Sequence, residues 1–308
     1  MRVLAYIHTK NEADFIEQAL EALRRQTRPP DAILIVDNGS TDDTLNRAFP
    51  EQVTVIRNPS DIGTSGSVRV GFAHAFEHGF DWMWILDADS VPDSDVLEKL
   101  LAFFERLPPA KEEQVCFLNA LPLTVTGEVK QQPLSFEGSG IEAQPLGSAR
   151  EFTQCDFALW SGSLYRLAAI ATIGFPAADY VLDVGELEFG YRARQFGFTS
   201  YFVHNGVIRH DVGRNPGAGE RLYRFGPISL TFYELSPVRT YYSMRNNIYF
   251  WLYQHKPRRS ILALRWVAWR VTTLTLNSVL GQGNRDGQMT ACLRGIWHGV
   301  TGNMSARY

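Results

Sequence analysis

The chain has 308 residues, 30 lysines and arginines against 33 aspartates and glutamates, and a net charge of −3 at neutral pH. That length can bury a substantial core, as one large domain or a domain with an appendage, and the near-balanced charge argues against nucleic acid as a partner. Three scattered cysteines, Cys116, Cys155 and Cys292, lack metal-ligand spacing and cannot form a disulfide framework, which points to a reducing, cytoplasmic setting. The apolar stretch Val3–Ile7 is too short for a secretion signal, and no run of apolar residues is long enough to span a bilayer.

In chain order, Val3–His8 reads as a strand and Glu12–Arg25 as an amphipathic helix with Phe15, Ile16, Ala19, Leu20 and Leu23 on its apolar side. Ala32–Val36 is a second strand, leading into Asp37-Asn-Gly-Ser-Thr-Asp42, a turn that can cap a following helix. Val53–Ile56 is a third strand, Ser67–Glu77 a helix and Trp82–Leu86 a fourth strand. This alternation predicts a mainly parallel α/β sheet with right-handed crossovers. Beyond residue 107 the pattern becomes irregular. Cys116–Leu121 is a strand, 124–150 a loop or irregular hairpin, and Phe157–Tyr165 leads into a helix ending near Gly174. Gly185–Phe196 is a helix whose small residues Gly190, Ala193 and Gly197 form a strip for close packing, and Tyr201–His210 reads as a strand pair turning at Asn205-Gly206. From Pro237 onward the pattern is helical and rich in aromatics and arginines. The resulting division is 1–236, with a regular half 1–107 and an irregular half 108–236, followed by a helical extension at 237–308.

In open α/β sheets, ligands gather beyond the carboxyl ends of the strands. The residues expected there are Thr9, Asp37, Asn38, Asp61 and the pair Asp87 and Asp89. The sequence Trp82-Met-Trp-Ile-Leu-Asp87-Ala-Asp89 ends an apolar strand in two carboxylates, which suit a hard divalent cation holding a diphosphate. An acidic turn of this kind is often only solvated, so the pair gains weight from its neighbours. Asp37 can cap a turn or accept hydrogen bonds from a nucleobase or ribose. Gly63, in Asp61-Ile-Gly-Thr-Ser-Gly66, can let backbone approach a ligand closely.

These motifs, with Thr9-Lys-Asn-Glu, Asn58-Pro-Ser-Asp-Ile-Gly63, Tyr180-Val-Leu-Asp-Val-Gly-Glu-Leu-Glu188, His210-Asp-Val-Gly213 and Arg239-Thr-Tyr-Tyr-Ser-Met-Arg-Asn246, resemble family-2 nucleotide-sugar glycosyltransferases of the GT-A fold. The later ones resemble the rhamnosyltransferase and galactofuranosyltransferase branch. The resemblance implies that Asp37 contacts the base, Asp87 the ribose or metal, and Asp89 a Mn²⁺ or Mg²⁺ ion bridging the donor diphosphate, with His210 completing the metal site. It further implies a nucleoside-diphosphate sugar donor of UDP or dTDP type, and a growing glycan or lipid-linked acceptor. The chain departs from the family pattern at Asp61, where Asn is common, and at Ser67, where Gly is common.

Inverting transfer needs a general base for the acceptor hydroxyl. Glu188 stands four residues before Arg192, the arrangement of a structural helix pair. Glu186 has no cation at the next turn and heads the small-residue strip, and the family places its base at this position, usually as Asp. Glu186 is therefore the first candidate and Asp183 the second, beside the simpler account that both acids favour a helix N-terminus. Arg239 and Arg245 are either solvated arginines of an amphipathic helix or phosphate contacts. The tail mixes Leu262, Trp266, Val267 and Trp269 with Arg258, Arg259, Arg265 and Arg270, and can lie on a membrane interface at the cytoplasmic face, pack internally, or join a second subunit. Two other readings are a sugar nucleotidyltransferase and a non-catalytic carbohydrate-binding protein on a degenerate transferase fold. The first would show a glycine-rich basic loop near β-strand one, where Tyr6-Ile-His-Thr-Lys-Asn11 stands instead. The retained acids oppose the second.

Overall fold

The computed structural model describes residues 1–138, 140–147, 150–210, 220–225, 228–233, 235–256, 261–280 and 287–308. Asp211–Gly213 of the motif after His210, together with Arg258 and Arg259, lie outside the described residues, as do the side chains of Leu262, Trp266 and Arg270. The chain divides into two compact units. The first comprises Met1–Phe136, Ile141–Ala178 and Phe189–Gly213, and the second Glu137–Gly140, Asp179–Glu188 and Arg214–Tyr308.

The elements run β1 (Val3–Thr9), α1 (Ile16–Arg24), β2 (Ala32–Asp37), β3 (Val53–Arg57), α2 (Gly63–Glu77), β4 (Trp82–Asp87), β5 (Val91–Pro92), α3 (Val96–Glu105) and α4 (Pro109–Glu112). They continue with β6 (Val115–Leu123), β7 (Leu134–Glu137), β8 (Gly140–Ala143), β9 (Phe152–Cys155), β10 (Ser163–Arg166), α5 (Leu167–Ile173), α6 (Gly185–Gln195) and β11 (Thr199–Arg209). The remainder is the hairpin β12 (Glu220–Phe225) and β13 (Ile228–Tyr233), then α7 (Pro237–Tyr249), α8 (Ile261–Leu280) and α9 (Gln288–Thr301).

The first unit is built on one large sheet in the order β3-β2-β1-β4-β10-β6-β11-β5, with β9 also paired to β11. Strands β1 to β4 are mutually parallel, and β10 is inserted antiparallel between β4 and β6. Successive residues of a strand face opposite sides, and β1 shows this directly. Val3, Ala5 and Ile7 join Ile16, Leu20 and Leu23 of α1 and Leu97 and Leu100 of α3 in one core. Leu4 and Tyr6 join Val68 and Phe72 of α2 in the other. The continuous apolar runs read from the sequence are thus strands covered by helices on both faces.

Three expectations are revised. Asp37–Asp42 does not open an α-helix; only the 3-10 turn Asp43–Leu45 follows, capped by Asp42, whose carboxylate accepts from the Thr44 N–H. Tyr201–His210 is not a hairpin. It is one long strand, β11, that stays parallel to β6 on both sides of an irregularity: Val203 pairs Ala120 and Val207 pairs Leu121. The Asn205-Gly206 dipeptide therefore bulges within a strand instead of reversing it. Of the small-residue strip, Gly190 and Ala193 are buried, and a Cβ on Gly190 would lie 2.4 Å from the Asp156 carbonyl oxygen. Gly197 is exposed at φ +82° with open space around it, and so ends the helix instead of packing it.

In the second unit, Ser236 accepts a hydrogen bond from the Arg239 N–H and Pro237 occupies the first turn, fixing the start of α7. α7 packs on α9 through glycines: a Cβ on Gly295 would lie 2.8 Å from Met244 Cβ and the Tyr241 carbonyl oxygen, and one on Gly299 2.8 Å from Ile248 Cβ. Segment Asp179–Glu188, far from these helices in sequence, belongs to the same unit.

Candidate active site

In the first unit, three parallel strands end side by side. The register sets His8 of β1 opposite Asp87 of β4, and Thr9 of β1 opposite Asp37 of β2. Asp87, Asp89 and His210 each offer a ligand atom within 4.8 Å of the others. The His210 Nδ1 atom is 3.3 Å from Asp89 Oδ1, and its Nε2 atom is 3.6 Å from Asp87 Oδ2. Asp89 is 5% exposed. Among the described residues this is the one group of acids, histidines or cysteines placed to hold a metal.

Short polar side chains hold the group together. Ser90 Oγ hydrogen-bonds His210 Nδ1 at 2.6 Å, Ser161 Oγ donates to Ser90 Oγ at 2.8 Å, and the Asp87 N–H donates to Ser161 Oγ at 3.1 Å. On the far side, His8 Nδ1 lies 3.4 Å from Asp87 Oδ1. The Asp87 carboxylate thus has an imidazole at each oxygen. Burial disfavours the charged ring of His210, yet the carboxylates of Asp89 and Asp87 outweigh it and the pKa is raised. His8 behaves alike: burial works against its charge and Asp87 raises it. The sequence assigns no part in the metal site to His8, Ser90 or Ser161. The pairing register, which sets His8 beside Asp87, is the signal that could have found the first.

The donor-side loops are tied by their own polar groups. Asp37 is fully buried; its carboxylate accepts from the Ser40 N–H at 3.0 Å and from the Ser40 hydroxyl, with Arg57 Nε 3.6 Å away. Asn38 donates to the Gly63 carbonyl at 3.4 Å and accepts from Asn58 Nδ2 at 2.9 Å. Buried Thr9 donates to Glu12 at 3.3 Å. Asp61 accepts from the Gly63 N–H at 2.8 Å and pairs with Lys10 Nζ at 2.7 Å. Gly63 takes φ +76°, a conformation that favours glycine. The extra charge at Asp61, where the resembled family has Asn, is therefore balanced within the loop by Lys10.

The second unit holds the other candidates. Asp183 and Val184 adopt φ of +56° and +67° immediately before α6, a left-handed pair that is costly for a β-branched residue. Asn246 of α7 holds this turn by donating to the carbonyls of Leu182 at 2.6 Å and Asp183 at 3.2 Å. The Asp183 carboxylate accepts from Arg239 Nη2 at 3.1 Å and from the Ser243 hydroxyl. Glu186 follows in the first turn of α6, half-buried. Arg245 is 0% exposed, with its guanidinium donating to the backbone carbonyls of Met304 at 3.0 Å, Ala306 at 2.5 Å and Asp179, and with Tyr242 beneath it at 4.8 Å. Arg239 is thus joined to a carboxylate, and Arg245 to main chain.

Residues 5–111 match the family described as Glycosyl transferase family 2. The galactofuranosyltransferase GlfT1 of Mycobacterium tuberculosis (strain CDC 1551 / Oshkosh) is 25% identical over 280 residues, covering 86% of this chain and 86% of that protein. The O-antigen chain rhamnosyltransferase RfbN of Salmonella typhimurium is 23% identical over 222 residues, covering 70% of this chain and 68% of that one. Among solved structures, the mannosyltransferase PcManGT of Pyrobaculum calidifontis, in complex with GDP-Man and Mn²⁺, superposes with a TM-score of 0.57 at 12% identity, covering 98% of this chain and 88% of that one. That last likeness is one of fold.

Proposed function

The chain is a glycosyltransferase of the GT-A fold with a family-2 domain at residues 5–111, and from that premise we propose an inverting, metal-dependent reaction. It transfers a rhamnose- or galactofuranose-like sugar from a nucleoside diphosphate of UDP or dTDP type to a hydroxyl of a growing glycan or lipid-linked acceptor. The observation that carries this reading is the convergence of Asp87, Asp89 and His210 at the ends of the parallel strands.

Two carboxylates and an imidazole fit Mn²⁺ or Mg²⁺, the nitrogen favouring Mn²⁺. Such a cation would neutralise charge on the departing diphosphate as a Lewis acid. Ser90 engages His210 Nδ1 and so leaves Nε2 as the nitrogen for a cation. Asp87, with one oxygen toward His8, serves the ribose or the metal with the other. Asn38 and Gly63 shape the donor loop, and Asp37 reads the base in the bound state.

Glu186 takes the proton from the acceptor hydroxyl. Its place at the start of α6 follows the left-handed Asp183–Val184 turn, which Asn246 and Arg239 hold. Asp183, engaged by Arg239 and Ser243, supports that turn better than it could serve as the base. The three free, buried cysteines accord with a reducing, cytoplasmic setting.

Replacing Glu186 by Gln is expected to cut kcat by about 10²–10⁴-fold. Thermal stabilisation by UDP, dTDP or GDP with Mn²⁺, compared across the three, should persist in the variant and rank the donor class. Turnover unchanged in E186Q would remove Glu186 as the base.

A further inference from the structure

The net charge of −3 conceals a segregation. Residues 235–308 contain ten lysines and arginines and one acid, Asp286, whereas residues 1–234 contain 20 basic and 32 acidic side chains. Within the basic segment Arg239 and Arg307 pair with Asp183 and Asp179, while Lys256, Arg265 and Arg294 are exposed.

The same segment turns its apolar side chains outward. On α9 the buried face is made by Gln288 and the small residues Ala291, Cys292, Gly295 and Gly299, of which the glycines meet Tyr241, Met244, Arg245 and Ile248 of α7. The opposite face carries Met289, Leu293, Trp297 and Val300, which follow one another at helical spacing and are 49%, 60%, 67% and 47% exposed. α8 adds Ile261 and Trp269 at 79% and 53%. A helix of a water-soluble core buries its large residues and shows its small ones. Here the order is inverted, as where the outer surroundings are hydrocarbon.

α9 has 14 residues, about 21 Å at the helical rise, too short for a hydrocarbon layer of roughly 30 Å. Among the described residues no helix is long and apolar enough to cross a membrane. An in-plane seat remains, with apolar side chains below the headgroups and arginines among them. Charge selects the partner. A symmetric second copy would press two strongly positive segments together, and nucleic acid could stack a base on Trp297 but has no apolar phase for Met289, Leu293 and Val300.

We propose that the second unit seats on an anionic lipid surface, with the Met289–Leu293–Trp297–Val300 face of α9 entering the boundary between headgroups and acyl chains. This goes beyond the transferase reading and is independent of the sugar transferred. Vesicle binding and donor turnover are separate measurements, so either reading can fail alone.

The test is co-sedimentation of the full chain with vesicles of phosphatidylcholine alone, or with about one third phosphatidylglycerol. Wild type should bind the anionic vesicles roughly tenfold more tightly than the neutral ones, and less tightly as salt rises. The double variant L293Q/W297Q should bind anionic vesicles about tenfold more weakly, with an unchanged melting temperature and donor hydrolysis. Brominated phosphatidylglycerol should quench tryptophan fluorescence in wild type and quench it less in W297F. Equal binding by wild type and the double variant would overturn the proposal. So would equal affinity for both vesicle types, or a self-dimer in sedimentation velocity that L293Q/W297Q abolishes while vesicle binding stays absent.

Discussion

Two acid-bearing turns, Asp87–Ser90 in the first unit and Asp183–Glu186 in the second, are held by opposite means. The first ends a regular strand, and sheet register alone brings His8 beside Asp87; short serines then fix His210 between two carboxylates. The second rests on irregular backbone: two left-handed residues, carbonyls gripped by Asn246, and a carboxylate tied by Arg239. A sheet positions groups through a repeating geometry in which each strand carries many bonds. A loop must have its positions fixed one hydrogen bond at a time, so its supporting residues come from distant helices. Around the first turn Ser90, Ser161 and His210 bond one another's side chains; around the second, Asn246 bonds main chain while Arg239 and Ser243 hold the Asp183 carboxylate.

Substitutions at three positions press on that contrast. Asp89→Asn should be the most severe, lowering turnover by about 10³-fold through loss of an acidic ligand where charge develops, with folding retained. An Mn²⁺ titration followed by electron paramagnetic resonance should show the affinity lost in parallel, and an active D89N enzyme would remove the strand-end site. Arg245→Met should act on stability instead. It deprives the buried Met304 carbonyl and the part-buried carbonyls of Asp179 and Ala306 of their donor, at a cost of about 3 kcal/mol, seen as a lower melting temperature. If R245M instead kept its stability and weakened binding of the donor nucleotide, the arginine would be a phosphate contact and the contrast would fail. His8→Ala is the mildest: roughly tenfold weaker Mn²⁺ binding, as for other outer partners of metal ligands. His8→Asn, able to keep the hydrogen bond, should recover most of it, and equal Mn²⁺ affinity in H8A would confine His8 to packing.

The same contrast explains what could be read from the sequence. β1, β2 and β4 were legible because strands buried on both faces are unbroken apolar runs, and Asp87 and Asp89 because they end one of them. β11 is not legible, because Asn205-Gly206 is a turn signal locally and only pairing with β6 on both sides reveals a bulge. The importance of His8 lies in register, which one strand alone does not contain. Arg239 and Arg245 lie on different faces of α7, and from sequence both allow a phosphate contact. Their partners, Asp183 for one and the main chain near Met304 for the other, lie about sixty residues away in sequence.

The burial of Arg245 against the carbonyls of Met304 and Ala306 has a consequence for chain integrity. A molecule clipped just before Met304 would keep α7 and all of α9, yet enclose a guanidinium deprived of two acceptors. Damage to the last few residues would therefore register as misfolding throughout the second unit, and cellular proteases would see an opened helical layer where only a short tail had been removed.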